Sequence, residues 1–255
     1  MVSALLSACA PSGASSSASL PSRSVSGATS ATPLPPPRPS NGPNERVCAG
    51  VDSLPGIDVS DYDPGTQWTV VKHSGVDFTF IKASEGIDYT NPYFVQDWAA
   101  APNNGIFRGA YHFFHPKDDP TLQAQHFLKV MGKLQSNDLP AMFDWESNEG
   151  VSAAEQIKKA KVWLQLVEAA TGKTPIIYVS PSYWNALGNP QEFERYPLFI
   201  AHYDVTCPEI PPPWSQWTFW QRGTGPAAGV QAAEADLDVF NGSLTQLLQL
   251  AQSSK

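Results

Sequence analysis

The sequence predicts an α/β fold, a parallel sheet of eight strands closed into a TIM-like barrel with fewer than eight helices around it. Three observations carry this prediction. Eight short runs rich in β-branched and aromatic residues stand between Gly56 and Phe240, bounded by Gly, Pro or Asn. Helical patterns with recognisable ends lie between several of them, the alternation that builds βαβ units. Roughly 200 residues is the small end of the barrel range. The alternative, an open doubly wound sheet, usually opens with a Gly-rich turn, and "GIDVSDYDPG" is not one.

The first strand is "GIDVS" (56–60) and the second "VDFTFIKAS" (76–84). "NPYFVQDWAAA" then reads as a helix capped by Asn91, with Pro92 at its first position. After the strand "GIFRGAYHFF" (105–114), a helix starts at Asp119-Pro120, with Ala124, Phe127, Leu128, Met131 and Leu134 along one face. The strand "LPAMFDWE" (139–146) leads to a helix with a capping box, Ser152 with Glu155, that stops at Gly172. The remaining strands are "TPIIYVS" (174–180), "PLFIAHY" (197–203), "WTFWQR" (217–222) and "ADLDVF" (235–240). Their connections are shorter and more irregular, so the second half has fewer full helices.

The N-terminal region is different in kind. Residues 1–9 end in "LSAC" (Leu6 to Cys9), which resembles a bacterial lipobox, although the preceding segment is short and lacks Lys and Arg. The reading is a truncated lipoprotein signal, with Cys9 as the lipidation site. Residues 10–46 are nearly all Ser, Ala, Pro and Gly and read as a disordered linker. The barrel domain is expected over 47–252. In an exported protein Cys48 and Cys207 are natural disulfide partners, the alternative being two unrelated buried thiols. A net charge of -8 argues against nucleic acid as a partner, and no apolar run is long enough to span a bilayer. Membrane contact is expected only through the lipid anchor, at the cell envelope or outer membrane; otherwise the chain is secreted.

Chemistry in such a barrel sits at the carboxyl ends of the strands. Those ends supply Asp58, Lys82 with Glu85, Tyr111 with His112, and the pair Asp144 and Glu146. The later strands add Tyr178, His202 with Tyr203, Trp220 with Gln221, and Asp236 with Asp238. In a strand, Asp144 and Glu146 point to one face, roughly 7 Å apart, while Trp145 points to the other. Like charges so close repel and leave water at a cost. Acids and aromatics on one rim have the composition of a sugar cleft, with rings to stack on pyranose faces and carboxyls to bind hydroxyls or move protons.

"GIDVS", "FIKASEG", "GAYHFF", "DWE", "IIYVS", "IAHY", "FWQ" and "DLDVFNG" together resemble the glycoside hydrolase family 25 lysozymes, over residues 55 to 243. The resemblance implies a flattened β/α barrel that cleaves the β-1,4 bond between N-acetylmuramic acid and N-acetylglucosamine in peptidoglycan. It makes Glu146 the general acid, Asp144 its partner, and Asp58 and Asp236 the acids of the first and last strands. Ala235 and Asp238 depart from the family pattern, which has "VD" before an Asn-containing motif. Lys82, Tyr89, Tyr111, Tyr178 and Trp220 match groove-lining positions, and Tyr203 is added from its place on the rim. Substrate assistance, with Asp144 orienting the acetamido group, is preferred over direct attack by Asp144. No cofactor or metal is expected, and the protein is expected to be a monomer.

Other readings accompany this one. His112 and His115 in "HFFH" suggest a metal-dependent deacetylase, but no third ligand has suitable spacing. His112 is more readily a hydrogen-bonding residue of the rim, and Trp145, Trp184, Trp214 and Trp217 packing residues. A non-catalytic glycan-binding module, or a glycosidase acting on chitin-like polymers, are the alternative functions.

Overall fold

A computed structural model describes residues 44–254. Cys9, residues 1–9 and most of the expected linker lie outside that range. Eight strands form the barrel: β1 (Leu54–Val59), β2 (Phe78–Glu85), β3 (Phe107–Phe113) and β4 (Met142–Asp144), then β5 (Ile176–Val179), β6 (Leu198–Ala201), β7 (Phe219–Gly225) and β8 (Ala235–Phe240). Pairing of β1 with both β2 and β8 closes the ring. Six α-helices accompany the described strands: α1 (Trp68–His73), α2 (Phe94–Asn103), α3 (Pro120–Met131), α4 (Ala153–Thr171), α5 (Pro181–Ala186) and α6 (Leu244–Gln252).

The sheet is mixed, which corrects the expectation of a wholly parallel one. β1 to β7 run parallel, but β8 is antiparallel to both β7 and β1. The cause is connection length. Residues 226–234 are too few for a parallel crossover, so the chain turns back as a hairpin.

Period-2 alternation divides the strand residues between two cores. Phe78, Phe80, Phe199, Phe219 and Phe240 fill the barrel interior, with ring centroids 5.1 to 5.5 Å apart around Phe219 and Phe199. Two glycines make room for them: a Cβ on Gly56 would lie 2.3 Å from the Phe78 ring, and one on Gly109 2.3 Å from Phe80. Leu247 and Ala251 of α6 join this inner cluster and plug the barrel. Outward-facing Ile57, Ile81, Phe143, Ile177 and Ile200 pack beneath the helices against Phe127, Trp163, Leu164 and Trp184.

Helix ends follow local chemistry. Asp119 caps α3, accepting from the amides of Thr121 and Leu122. Ser152 accepts from the Glu155 amide at α4, whereas both halves of a capping box form at α6 between Ser243 and Gln246. Helix α2 starts later than predicted, after Tyr93. Asn91 instead makes a turn, its side chain accepting from the Tyr93 amide and donating to the Lys82 carbonyl.

Ahead of the barrel, Glu45–Arg46 pairs antiparallel with Glu209–Ile210, so these two residues, assigned to the linker from sequence, belong to a ladder. Cys48 and Cys207 are bonded, with Cα atoms 4.4 Å apart.

Candidate active site

Above the aromatic layer the barrel interior turns polar. Asp58, Asp144, Glu146 and Asp236 line one cavity of about 230 Å³ at the carboxyl ends of the parallel strands. The reversal of β8 explains how Asp236 reaches it. An acid near the start of an antiparallel strand stands level with acids near the ends of its neighbours, and Asp236 lies directly opposite Asp58. Asp238 points to the same interior face two residues deeper and is almost wholly buried. Neither of its carboxyl oxygens has a hydrogen-bond partner among the described residues, and burial beside the Asp58 carboxyl favours its protonated form.

Gln221 organises the floor. Its Nε2 donates to Asp58 Oδ2 at 2.6 Å, and its Oε1 accepts from the hydroxyls of Tyr178 (2.6 Å) and Tyr203 (2.5 Å). The Tyr203 hydroxyl is also 3.4 Å from Asp236 Oδ1. Asp144 Oδ1 is buried and accepts no hydrogen bond from the described residues. On the opposite wall, Lys82 Nζ lies 2.6 Å from Glu85 Oε2 and 3.7 Å from Asp61. Glu85 continues to His115 Nε2 (2.8 Å), whose Nδ1 meets Glu149 at 2.6 Å.

These surroundings shift the acids in one direction. Burial, then the neighbouring Asp236, raises Asp58 well above the usual carboxylate range. Burial, then Glu146 and Asp58, does the same to Asp144, and burial, then Asp58, to Asp238. Glu146 is raised by burial and by Asp236, and Asp236 by burial and by Asp63. The Lys82 charge pulls both Asp144 and Glu146 the other way. Five crowded carboxyls therefore share protons as a set. Burial acts more strongly on Asp144 than on Glu146, so in the free site the retained protons are not confined to Glu146.

Most of the sequence-predicted groove residues converge here. Lys82, Tyr111, Tyr178 and Tyr203 line the same cavity as the four acids. Tyr89 stands at its edge, 39% exposed, with Lys82 Nζ 5.5 Å from its ring. Trp220 is a correction. It faces outward, buried against Trp217, and its Nε1 donates to the His202 carbonyl. Alternation along β7 places Phe219 and Gln221 inside, and so Trp220 outside. The rim placement of His112 is corrected for the same reason. Tyr111 points in, while His112 lies under the helices, stacked on Trp163 and hydrogen-bonded to Ser84 and Gln123. Burial lowers its pKa to about 3, keeping it neutral. His112 and His115 thus occupy different layers, and among the described residues no group of three or more His, Cys, Asp or Glu could hold a metal ion. Trp145, Trp184, Trp214 and Trp217 are buried packing residues. Sequence reasoning gave Gln221 no role and passed over Tyr62 and Met142, which also line the cavity. The alternation in "FWQ" was the signal that could have selected Gln221.

The profile of "Glycosyl hydrolases family 25" matches residues 57–229. The chain belongs to this family. Lysozyme M1 of Streptomyces globisporus is 33% identical over 227 residues, spanning 84% of this chain and 77% of that protein. An N,O-diacetylmuramidase of Arthroderma benhamiae is 33% identical over 222 residues, 82% of this chain and 92% of the relative. The bacterial lysozyme from Streptomyces coelicolor superposes with a TM-score of 0.75 at 33% identity, over 80% of this chain and 99% of that one. The chain is thus a family 25 glycoside hydrolase. The matched segment ends before β8, so Asp236 comes from a strand beyond it.

Proposed function

We propose that this peptidoglycan hydrolase is a lysozyme that cleaves the β-1,4 bond between N-acetylmuramic acid and N-acetylglucosamine, with Glu146 as general acid and Asp144 assisting. The observation that carries the assignment of roles is the convergence of four carboxyls on one tyrosine-walled cavity in a chain of this family. Glycoside cleavage needs a proton at the leaving oxygen and negative charge near the developing oxocarbenium ion. Glu146 lies at the cavity mouth, and burial and Asp236 raise its pKa, which favours the protonated form that a general acid must start from. Asp144 lies deeper, and its unpartnered Oδ1 can accept the N–H of the substrate's acetamido group. In this reading the acetamido oxygen attacks the anomeric carbon as the leaving oxygen takes the Glu146 proton. Positive charge growing on the sugar favours the ionised form of Asp144, and the Lys82 charge acts in the same sense. Gln221 holds Asp58 in place, and Asp58 and Asp236 supply further acceptors for the sugar.

The chain acts as a monomer outside the cytoplasm in this reading, anchored through Cys9. No described helix is long and apolar enough to cross a membrane, and the Cys48–Cys207 bond suits an oxidising compartment. A turbidity assay on purified peptidoglycan is the test. Glu146→Gln should slow clearing by roughly a hundredfold or more, and mass spectrometry of the fragments should find muramic acid at the new reducing ends. Full clearing by the variant removes Glu146 from the donor role. N-Acetylglucosamine ends would make the enzyme a glucosaminidase, and equal cleavage of chitin oligomers would favour the chitin-like substrate class. A binding module would retain the polymer without clearing it.

A further inference from the structure

A second cavity, of about 460 Å³, adjoins the acid-lined one and shares Glu146, Tyr178 and Tyr203 with it. Asp58, Asp144 and Asp236 do not reach it. This asymmetry gives the groove a direction. The sugar whose anomeric carbon becomes cationic belongs beside the three other acids, and the sugar that departs belongs on the far side of the proton donor. Ser182, Asn185 and His202 line the second cavity, and no Lys or Arg does. Hydroxyl, amide and imidazole groups suit a neutral N-acetylhexosamine better than an acidic muramyl peptide.

The N-terminal arm contributes Asn44 to its outer wall, beside Glu209 of the loop that the arm pairs with. The arm is fastened over the 202–210 loop by the Glu45–Arg46 ladder, by Arg46 on Glu209 at 2.5 Å, by Trp217 Nε1 donating to the Val47 carbonyl, and by the Cys48–Cys207 bond. The Glu209 amide in turn donates to His202 Nδ1 at 3.1 Å, so the arm fixes the loop whose start carries His202 and Tyr203. We propose that the disulfide-fastened arm completes a subsite for the departing N-acetylhexosamine, next to Glu146. The proposal rests on the lysozyme reading for its direction.

The test uses the full-length protein and a soluble muramyl tetrasaccharide, with free N-acetylglucosamine as competing ligand. Two variants probe the wall independently: Ser182→Ala with Asn185→Ala, and Cys48→Ser with Cys207→Ser. The first pair lies on the short helix α5 and the loss is confined to side-chain tips, so it stays informative should the cysteine variant fold poorly. Both should raise KM for the tetrasaccharide, and weaken inhibition by N-acetylglucosamine, by roughly five- to tenfold. The pH profile of kcat should keep its shape, because all four acids remain. An unchanged KM and unchanged inhibition in the Ser182/Asn185 variant overturn the subsite, and the same result in the folded cysteine variant overturns the arm's part in it. A change in the pH profile shows instead that the acid cluster was disturbed, and also overturns it. Wild-type protein that leaves the tetrasaccharide intact marks failure of the lysozyme reading rather than of the wall.

Discussion

At the scale of single residues, the site depends on one amide that serves three polar groups. Gln221 is the side chain that both donates to Asp58 and gathers two tyrosine hydroxyls, so truncating it leaves three polar groups short of a partner at once. Gln221→Ala should lower kcat/KM on peptidoglycan roughly ten- to hundredfold, since leaving a buried polar group unpaired costs about 1 to 3 kcal/mol. Gln221→Glu should do worse at neutral pH, because it sets another carboxyl against Asp58. Clearing rates of the two variants check this, and a Gln221→Ala enzyme with wild-type kcat/KM would remove Gln221 from the site. The acids themselves were legible because their residue type is unusual on an inward strand face. Gln221 was not. A neutral amide beside a tryptophan draws the eye to the ring, and only counting faces along β7 separates the inward Gln221 from the outward Trp220.

Elements were readable where their pattern was local. The strands and the capped helices α3 and α4 announce themselves through alternation, Pro-capped starts and a Gly stop, and the structure contains each of them. Helices α1, α5 and α6 were missed. The first two are one to two turns long and show no full amphipathic repeat. Helix α6 is periodic, but its partner is the barrel's interior rather than a neighbouring helix, a relation that appears only after closure. The antiparallel course of β8 was hidden too, because strand direction is set by connection length rather than by strand composition. Helix α6 gives a sharp prediction. Leu247 is fully buried against the inner cluster, so Leu247→Ala opens a cavity and should destabilise the fold by about 2 to 5 kcal/mol. Denaturant unfolding should show the lower midpoint. The native fraction should retain its turnover, since the plug lies below the aromatic layer and the acids above it.

The whole molecule carries the electrostatic cost of the site in its pH dependence. Asp58, Asp144 and Asp238 are held above the ordinary carboxylate range, first by burial, and Glu146, Asp236, Asp63 and Asp97 are shifted in the same sense. The unfolded chain loses such protons near pH 4. The native chain keeps them longer, so each group's contribution is complete below that pH and disappears as the pH rises through its native pKa. His115 acts alike from a higher start: Glu149 and Glu85 outweigh burial and raise it, so its contribution fades as the pH rises past its native pKa. Glu85 and Glu149 oppose this, because their His115 and Lys partners outweigh burial and lower them, and their contribution is lost as the pH falls through their native pKa. His112, buried and neutral, also works against the fold below about pH 6.5, where the unfolded chain gains a proton. Stability should therefore peak in weak acid and decline as the pH rises from there through the raised native pKa values of these groups. Asp238→Asn isolates one contributor. The amide has nearly the same shape but cannot ionise, so the variant should melt higher by roughly a few degrees near pH 8, with a shallower decline. Melting curves across the decline decide the matter, since an unaltered slope would mean that Asp238 is ionised in the folded protein and that burial does not hold its proton there.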